Sequence, residues 1–171
     1  KSNEVAGVVV RVSRKGRLIL RYSAGFANLD PRSPMRDDTV FQVMSMTKPI
    51  TAMAVAMCAE RGLINLDDPV SRYIPQFAKL QVKTAEGTEP LRSAVTIRHL
   101  LTHTSGLSGN DPGGLTDEAK VKLTLAEYAE NFGKDPLETT PGSTIAYSGP
   151  GFAALGRIVE ITSGQSLPEF L

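Results

Sequence analysis

The feature that most limits how this chain can fold is the stretch from Ile50 to Cys58, in which every side chain is apolar or small. A stretch of this kind, with no polar side, favours a helix that is buried all round. Arg61 and Gly62 follow it, and glycine is the residue that most often ends a helix. We therefore predict a central, fully buried helix, around which the other elements must pack.

The composition of the chain allows one core around such a helix. The 171 residues are 41% hydrophobic and 22% charged, which fits one domain better than two. The net charge of +1 falls well short of the basic balance of nucleic-acid-binding domains, so we expect no nucleic-acid partner. The first 36 residues hold eight Lys or Arg against Glu4 and Asp30. An anionic lipid or an acidic partner would suit this excess, but a solvated hairpin face explains it more simply.

The sequence shows neither a membrane span nor a secretion signal. It has no run of about 18 apolar residues, and no charged start leads into an apolar stretch with a cleavage site. Cys58 is the only cysteine, which excludes an internal disulfide and allows a reducing compartment without requiring one. We expect a soluble protein and leave open whether it is cytoplasmic, periplasmic or secreted, since a signal can already have been removed.

Turn and cap residues divide the remaining sequence into a hairpin and several helices. Val5–Val12 and Leu18–Tyr22 are predicted strands around a turn at Lys15 and Gly16. Helix boundaries are marked by Asp68 with Pro69, by Thr96, by the capping box of Thr124 and Glu127, and by Gly164 after a helix over 152–162. Another helix start, at Ser166–Glu169, comes just before the last residue. We therefore expect the sequence to be a fragment or one segment of a longer protein.

The candidate catalytic residues lie at the N-terminal end of the apolar helix, in the segment SMTK. Ser45 and Lys48 are three residues apart, a spacing that brings two side chains together on one face of a helix. Pro49 is tolerated only in the first turn, so the helix must begin close to Ser45, where the macrodipole favours a developing alkoxide. Desolvation on a buried helix favours the neutral amine of Lys48, which can accept the Ser45 proton, while the Ser45 N–H is available to an oxyanion.

This four-residue pattern is weak evidence by itself. The 13 serines and 8 lysines among 171 residues predict about 0.6 chance matches to it. Its location is the stronger signal, because the only S-x-x-K of the chain falls between the strand-like Val40–Val43 and the most apolar helix. A chance match would be equally expected anywhere in the chain, so this location favours a functional motif.

Three segments extend the motif along the chain: FQVMSMTKPITAMAVAMCAERGLINLDDPVSRYIP, VTIRHLLTHTSGL and PGSTIAYSGPGFAALGRIVE. In this order they resemble the beta-lactamase-like family, which includes class C beta-lactamases, D-alanyl-D-alanine peptidases and family VIII esterases. The resemblance covers nearly the whole chain. It implies an α+β fold of the beta-lactamase/transpeptidase type, in which an N-terminal β-hairpin of an antiparallel sheet accompanies a helical region.

The resemblance also assigns roles to single residues. It makes Ser45 the acylated nucleophile, Lys48 its helper, and Tyr147 the tyrosine of the family's Y-x-N motif, which shares proton transfer with the lysine. Gly149 stands where the family usually has Asn, so the amide that helps to hold the substrate and the lysine is missing. Esterase members are looser at such positions, which favours ester hydrolysis over lactam turnover. The family's K-T-G strand is absent, which implies that this chain alone is catalytically incomplete.

Other interpretations rest on specific sequence features. His99 and His103 are four apart on a predicted helix, as in the metal-binding H-E-x-x-H, but Leu100 replaces the glutamate and no third ligand is evident. An alpha/beta hydrolase needs G-x-S-x-G, and Gly106–Asn110 reads GLSGN, which fails at the last position. A catalytically inactive penicillin-recognising module is the more serious rival. The missing asparagine favours it, whereas the joint presence of the serine, lysine and tyrosine opposes it.

Taken together, these observations predict one partial domain over residues 1–171, with the sheet hairpin at 1–25 and the helical region, including the nucleophile helix, at 40–171. The predicted reaction is acyl transfer through a covalent acyl-enzyme at Ser45 followed by hydrolysis, without cofactor or metal. A carboxylesterase acting on small esters is favoured, and a beta-lactamase, a D-alanyl-D-alanine peptidase and the inactive module stay open. The expected partners are a small-molecule ester or lactam and a second chain or segment that completes the fold.

Overall fold

The computed structural model describes residues 5–171, which separate into a β-sheet unit ending at Met44 and a mainly helical unit, Ser45–Leu171. Residues 1–4, which belong to the predicted hairpin segment 1–25 and to the basic stretch, lie outside the described residues. The division of one partial domain into 1–25 and 40–171 stays a prediction. The combination of helices with antiparallel strands agrees with the predicted α+β class.

The first unit is a small antiparallel sheet with the strand order β1-β2-β3. β1 (Gly7–Arg14) pairs with β2 (Arg17–Leu29), whose far end pairs with β3 (Arg32–Pro34). Lys15 and Gly16 between the first two strands have φ of 49° and 75°, the left-handed pair that a type I′ hairpin turn requires. The predicted hairpin and its turn are confirmed. β3 was not predicted, because three residues are too few for a period-two pattern.

Two arginines of the hairpin share an acidic partner. Arg11 and Arg21 face each other across β1 and β2, and like charges in directly opposed positions destabilise a sheet. Asp37 offsets this repulsion, since its carboxylate pairs with the Arg21 guanidinium and its backbone carbonyl accepts a 2.9 Å hydrogen bond from Arg11. This arrangement is that of a solvated hairpin face.

The second unit contains helices of very different length and one short hairpin. Its helices are α1 (Thr47–Glu60), α2 (Ile97–Leu101), α3 (Asp117–Lys120), α4 (Leu125–Ala129), α5 (Gly149–Ser163) and α6 (Leu167–Phe170). 3-10 turns lie at Met44–Met46, Val70–Arg72, Pro75–Lys79 and Pro112–Gly114. β4 (Gln81–Thr84) and β5 (Gly87–Pro90) form the hairpin, which was not predicted because only Val82 in it is buried. No helix within residues 5–171 is both long enough and apolar enough to cross a bilayer.

The helix boundaries follow the capping residues that the sequence indicated. Thr96 and Thr124 each accept a hydrogen bond from a backbone N–H three residues on, at the starts of α2 and α4. Gly164, with φ 73°, ends α5 in the left-handed conformation that glycine tolerates best. The signal at Ser166 also holds, since its capping box with Glu169 begins α6. The caps predicted at Thr96, Thr124, Gly164 and Ser166 are therefore confirmed, whereas Asp68 and Pro69 precede only the 3-10 turn Val70–Arg72, which has no side-chain cap.

The centre of the second unit is α5. Its residues Ala154, Leu155, Ile158 and Val159 are fully buried, and it packs against α1, α2, α4 and α6. Gly156 allows part of this packing, because a Cβ at that position would lie 3.0 Å from Leu167 and 3.1 Å from Leu125. The role of central helix thus belongs to α5.

The prediction that α1 is buried on every side is wrong: within the helical unit, only one face of this helix is buried. α1 buries one face, formed by Thr51, Ala54, Val55 and Cys58, whereas Ile50 and Met53 are 47% and 63% exposed. An apolar run indicates that a helix can be buried all round. It does not indicate on how many sides the fold supplies a neighbour, and here α5 covers only one.

We expect Leu155→Ala to lower the free energy of unfolding by about 2–5 kcal/mol, because it removes a completely buried side chain and leaves a cavity at the centre of the unit. Ile161→Ala on the same helix is the matched control. Ile161 is 40% exposed, so its truncation should cost less than about 1 kcal/mol. Urea denaturation at constant m-value measures both. Equal losses in the two variants would contradict the assignment of α5 as the core helix.

Candidate active site

The serine of the S-x-x-K motif lies where the backbone enters α1. Ser45 is the middle residue of the 3-10 turn Met44–Met46, and α1 begins two residues later at Thr47. Pro49 falls in the first turn of α1, where its missing N–H leaves no hydrogen bond unmade. The prediction that the helix begins close to Ser45 is confirmed. The hydroxyl therefore lies at the positive end of the helix dipole.

The structure brings the three predicted site residues together. Lys48 Nζ lies 3.4 Å from Ser45 Oγ and donates to it, as expected for residues one turn apart. Tyr147, which is 102 residues further along the chain, donates from its hydroxyl to the same Oγ over 2.7 Å. The serine oxygen is thus contacted by an ammonium and a phenol, two groups that can move its proton.

The charge of Lys48 acts on the tyrosine. Hydrogen bonding to Lys48, then hydrogen bonding to Ser45, lowers the pKa of Tyr147 below its usual value of 10.0, and the positive charge adds to the effect. Lys48 Nζ also lies 4.8 Å from the centroid of the Tyr147 ring and 5.8 Å from that of Phe152, in cation–π contact. Within Ser45–Leu171, no carboxylate is ion-paired with this ammonium.

The site is open to solvent in the helical unit. Ser45 and Tyr147 are exposed and Lys48 is partly buried, so the lysine is less desolvated than a fully buried helix would have made it. Gly149 adds to this openness, because a Cβ built on it would meet no atom within 4 Å. Gly149, at the position where the family usually has Asn, therefore leaves open space where an asparagine side chain would begin.

The backbone that follows Tyr147 is fixed by the start of α5. Ser148 is the N-cap of this helix, accepts a 3.3 Å hydrogen bond from the Gly151 N–H, and donates a 2.9 Å bond to the Ser108 carbonyl. Ser148 is almost completely buried. The backbone on the helix side of the tyrosine is therefore fixed to the packed interior, although the phenol itself is exposed.

The two histidines considered as metal ligands have separate partners. His99 is the N3 residue of α2, and its Nδ1 accepts a 3.2 Å hydrogen bond from the Thr96 N–H. His103 lies beyond the end of α2, has φ 57°, and accepts from the Ser148 N–H through its Nδ1 over 3.1 Å. They do not share one helical face. No group of three potential ligands is arranged for a metal ion in the part of the chain that the structure describes.

His103 and Phe152 contact the site residues, whereas the sequence indicated His103 only as a possible metal ligand and gave Phe152 no role in the site. The His103 ring stacks on Tyr147 with centroids 4.7 Å apart and planes inclined by 29°, and it also contacts Phe152 at 5.1 Å. The available signal was that His103 lies in the second, and Phe152 in the third, of the three resembling segments. Because His103 and Tyr147 are far apart in the sequence, no local sequence pattern predicts their contact.

The fold and the Ser45, Lys48 and Tyr147 cluster define a class: an α+β protein with a serine at a helix entrance, a lysine one turn on, and a tyrosine ahead of a second helix. The beta-lactamase family model matches residues 1–171, and the chain belongs to this family. Its fold is the beta-lactamase/transpeptidase-like fold that the sequence predicted, and the resemblance to this family is confirmed. Members of the family are serine hydrolases, among them esterases and beta-lactamases.

Individual relatives extend this comparison. Esterase EstB of Burkholderia gladioli is 38% identical over 177 residues, which cover 98% of this chain and 43% of EstB. Acyltransferase calJ of Penicillium decumbens is 42% identical over 104 residues, or 57% of this chain and 25% of calJ. The solved structure of EstCE1, a hydrolase with promiscuous acyltransferase activity, matches with a TM-score of 0.78 and 30% identity over 97% of this chain and 44% of EstCE1. The chain thus spans less than half the length of each.

Proposed function

We propose that this chain carries the nucleophile region of a serine hydrolase that works through an acyl-enzyme at Ser45, with small carboxylic esters as substrates. The observation that carries the proposal is the contact of one serine Oγ with both Tyr147 OH at 2.7 Å and Lys48 Nζ at 3.4 Å. A hydroxyl that contacts a phenol of lowered pKa and an ammonium has the two partners that activation requires.

Each proton has a place in the proposed reaction. Once Tyr147 is ionised, its oxygen accepts the Ser45 proton while Oγ attacks the ester carbonyl carbon, and the Ser45 N–H stabilises the resulting oxyanion. The carbon–oxygen bond to the alcohol then breaks, and the alcohol leaves with the proton from Tyr147. Water attacks the acyl-serine in the same way and gives its proton to Tyr147, which passes it to Ser45 Oγ as the acyl carbon–Oγ bond breaks and the acid is released. Lys48 stabilises the phenolate throughout, first by its hydrogen bond and then by its charge.

Ester hydrolysis is favoured over lactam turnover by Gly149. An asparagine amide there would donate to an amide carbonyl of a lactam or peptide, whereas the glycine leaves open space and no donor side chain. The name of one relative, esterase EstB, points the same way. Beta-lactamase or D-alanyl-D-alanine peptidase activity is the second candidate, supported by penicillin-binding protein 4* of Bacillus subtilis, which is 28% identical over 95% of this chain.

The direct test is the intact mass of the protein after exposure to a fluorophosphonate probe. The proposal predicts one adduct per chain, on Ser45. Hydrolysis of a short-chain nitrophenyl ester and of a chromogenic cephalosporin, measured in parallel, then distinguishes the substrate classes, and we expect the ester to be preferred. Binding of either compound without turnover and without an adduct would favour the inactive binding module instead.

We expect Gly149→Asn to raise the ratio of cephalosporin to ester turnover, measured as kcat/KM, by about 10- to 100-fold. The new amide supplies one hydrogen bond to a lactam substrate, which is the size of effect that such a bond has when it forms in the transition state. Gly149→Ala is the matched control, since it adds a Cβ into the same open space without a donor. A change of equal size in both variants would show that bulk, and not the amide, sets the preference.

A further inference from the structure

His103 contacts the backbone on both sides of Tyr147. Its carbonyl oxygen accepts a 2.8 Å hydrogen bond from the Ala146 N–H, and its Nδ1 accepts a 3.1 Å bond from the Ser148 N–H. The two bonds enclose the tyrosine between them. They join it to a residue that lies just past α2, although 45 positions separate His103 from Ser148.

The imidazole also supports the tyrosine side chain directly. Its ring stacks on the Tyr147 ring at 4.7 Å, an arrangement that fixes the direction of the phenol. This matters because Tyr147 is 58% exposed, so few other contacts limit its rotamers. The histidine ring therefore lies against the same phenol that contacts Ser45 over 2.7 Å.

The neutral form of the ring is the one that fits this arrangement. An Nδ1 that accepts from a backbone N–H carries no proton, so the proton is assigned to Nε2. Burial, and then the nearby charge of Lys48, lower the pKa of His103 below 6.5 and favour this neutral form. The backbone conformation, with φ 57°, is one that few residue types adopt, and histidine and asparagine are enriched among those that do.

We propose that His103 is a positioning residue that holds the Tyr147 hydroxyl against Ser45, through two backbone hydrogen bonds and the ring stack. It acts on the reaction only through the tyrosine. This inference rests on the proposed function for its kinetic consequences, whereas its effect on the phenol follows from the contacts themselves.

Two variants separate the hydrogen bond from the ring. His103→Asn keeps an acceptor near the Nδ1 position and tolerates the left-handed backbone, whereas His103→Phe keeps a stacking ring and loses the acceptor. His99→Asn is the matched control. His99 also accepts a backbone N–H through Nδ1 and lies four residues away in the same segment, yet its hydrogen-bond partner is Thr96.

We expect His103→Phe to lower the rate of Ser45 acylation by the fluorophosphonate, and kcat for the nitrophenyl ester, by about 10- to 100-fold. Misplacement of a catalytic group by about 1 Å has an effect of this size. KM should change little, because the positioning role acts through Tyr147 and not through substrate binding. His103→Asn should lose less, and His99→Asn should stay within about twofold of the unchanged protein.

A second readout does not depend on activity. The phenolate absorbance of Tyr147, isolated by subtracting a Tyr147→Phe variant, reports the pKa of this phenol, whose neighbours in the helical unit are Lys48, Ser45 and His103. In His103→Phe the phenol should move away from the ammonium, and its pKa should rise toward 10.0. His103→Asn gives the same comparison if the phenylalanine variant does not fold.

The outcomes separate the two proposals. If the unchanged protein forms no adduct but the Tyr147 pKa rises in the His103 variants, the proposed function fails and the positioning role stands. If the unchanged protein reacts and His103→Phe changes neither the acylation rate nor the Tyr147 pKa, the positioning role is overturned. It is overturned equally if His99→Asn loses as much as His103→Phe, because the segment would then act only as framework.

Discussion

Replacing Ser45 with alanine is expected to lower ester hydrolysis by about 10⁴-fold or more and to abolish the fluorophosphonate adduct. The variant removes the oxygen that forms the covalent bond, and loss of the nucleophile in serine hydrolases has effects of at least this size. Its stability should change little, since Ser45 is exposed. The measurements are kcat/KM for a short-chain nitrophenyl ester and the intact mass after labelling.

Ser93→Ala is the matched control for this experiment, because Ser93 is an exposed serine outside the candidate site. It should keep both the adduct and full turnover. An adduct that persists in Ser45→Ala would place the nucleophile elsewhere and end the proposed mechanism. Loss of the adduct in both serine variants would indicate damage to the protein and not removal of a nucleophile.

Replacing Lys48 with alanine is expected to lower kcat/KM for the ester by about 10²- to 10⁴-fold, the range typical of a residue that assists proton transfer. The hydrogen bond from Lys48 is the largest cause of the lowered pKa of Tyr147. Without it, the pKa of the phenol should rise toward 10.0, so the acid limb of the pH–rate profile should move to higher pH. The profile of kcat/KM against pH measures this shift.

Two further variants define what Lys48 contributes. Lys48→Arg keeps the positive charge but changes the hydrogen bond to Tyr147, so it should retain only the smaller part of the pKa shift that is due to charge. Lys79→Ala removes an exposed lysine at the end of a 3-10 turn and controls for the change in net charge. A pH profile that moves as far in Lys79→Ala as in Lys48→Ala would contradict a specific contact with the phenol.

Local rules accounted for much of the secondary structure. The turn at Lys15 and Gly16 and the caps at Thr96, Thr124 and Gly164 all appear where the sequence placed them. Each depends on the chemistry of a few neighbouring residues, which is why the sequence shows them. The β4–β5 hairpin was missed, because its strands have four residues each and too little burial to create alternation.

The burial of α1 shows a limit of pattern reasoning. Ile50 and Met53 belong to a stretch that is apolar on all sides, yet in the helical unit they are exposed, and the central position belongs to α5. Hydrophobicity determines which surfaces gain free energy by burial. Which of them obtain a neighbour depends on how helices from distant parts of the chain pack, and an apolar run carries no information about that.

In the candidate site too, local sequence determined one contact and tertiary packing determined the others. The spacing of Ser45 and Lys48 determined their contact, because helix geometry places residues three apart on one face. The partnership with Tyr147 was available from the sequence only through resemblance to a family. Its 2.7 Å contact with Ser45 was decided by the tertiary structure, in which α5 packs on α1 and carries the tyrosine to the start of that helix. The support from His103 was decided only there, since no local periodicity links groups that packing alone brings together.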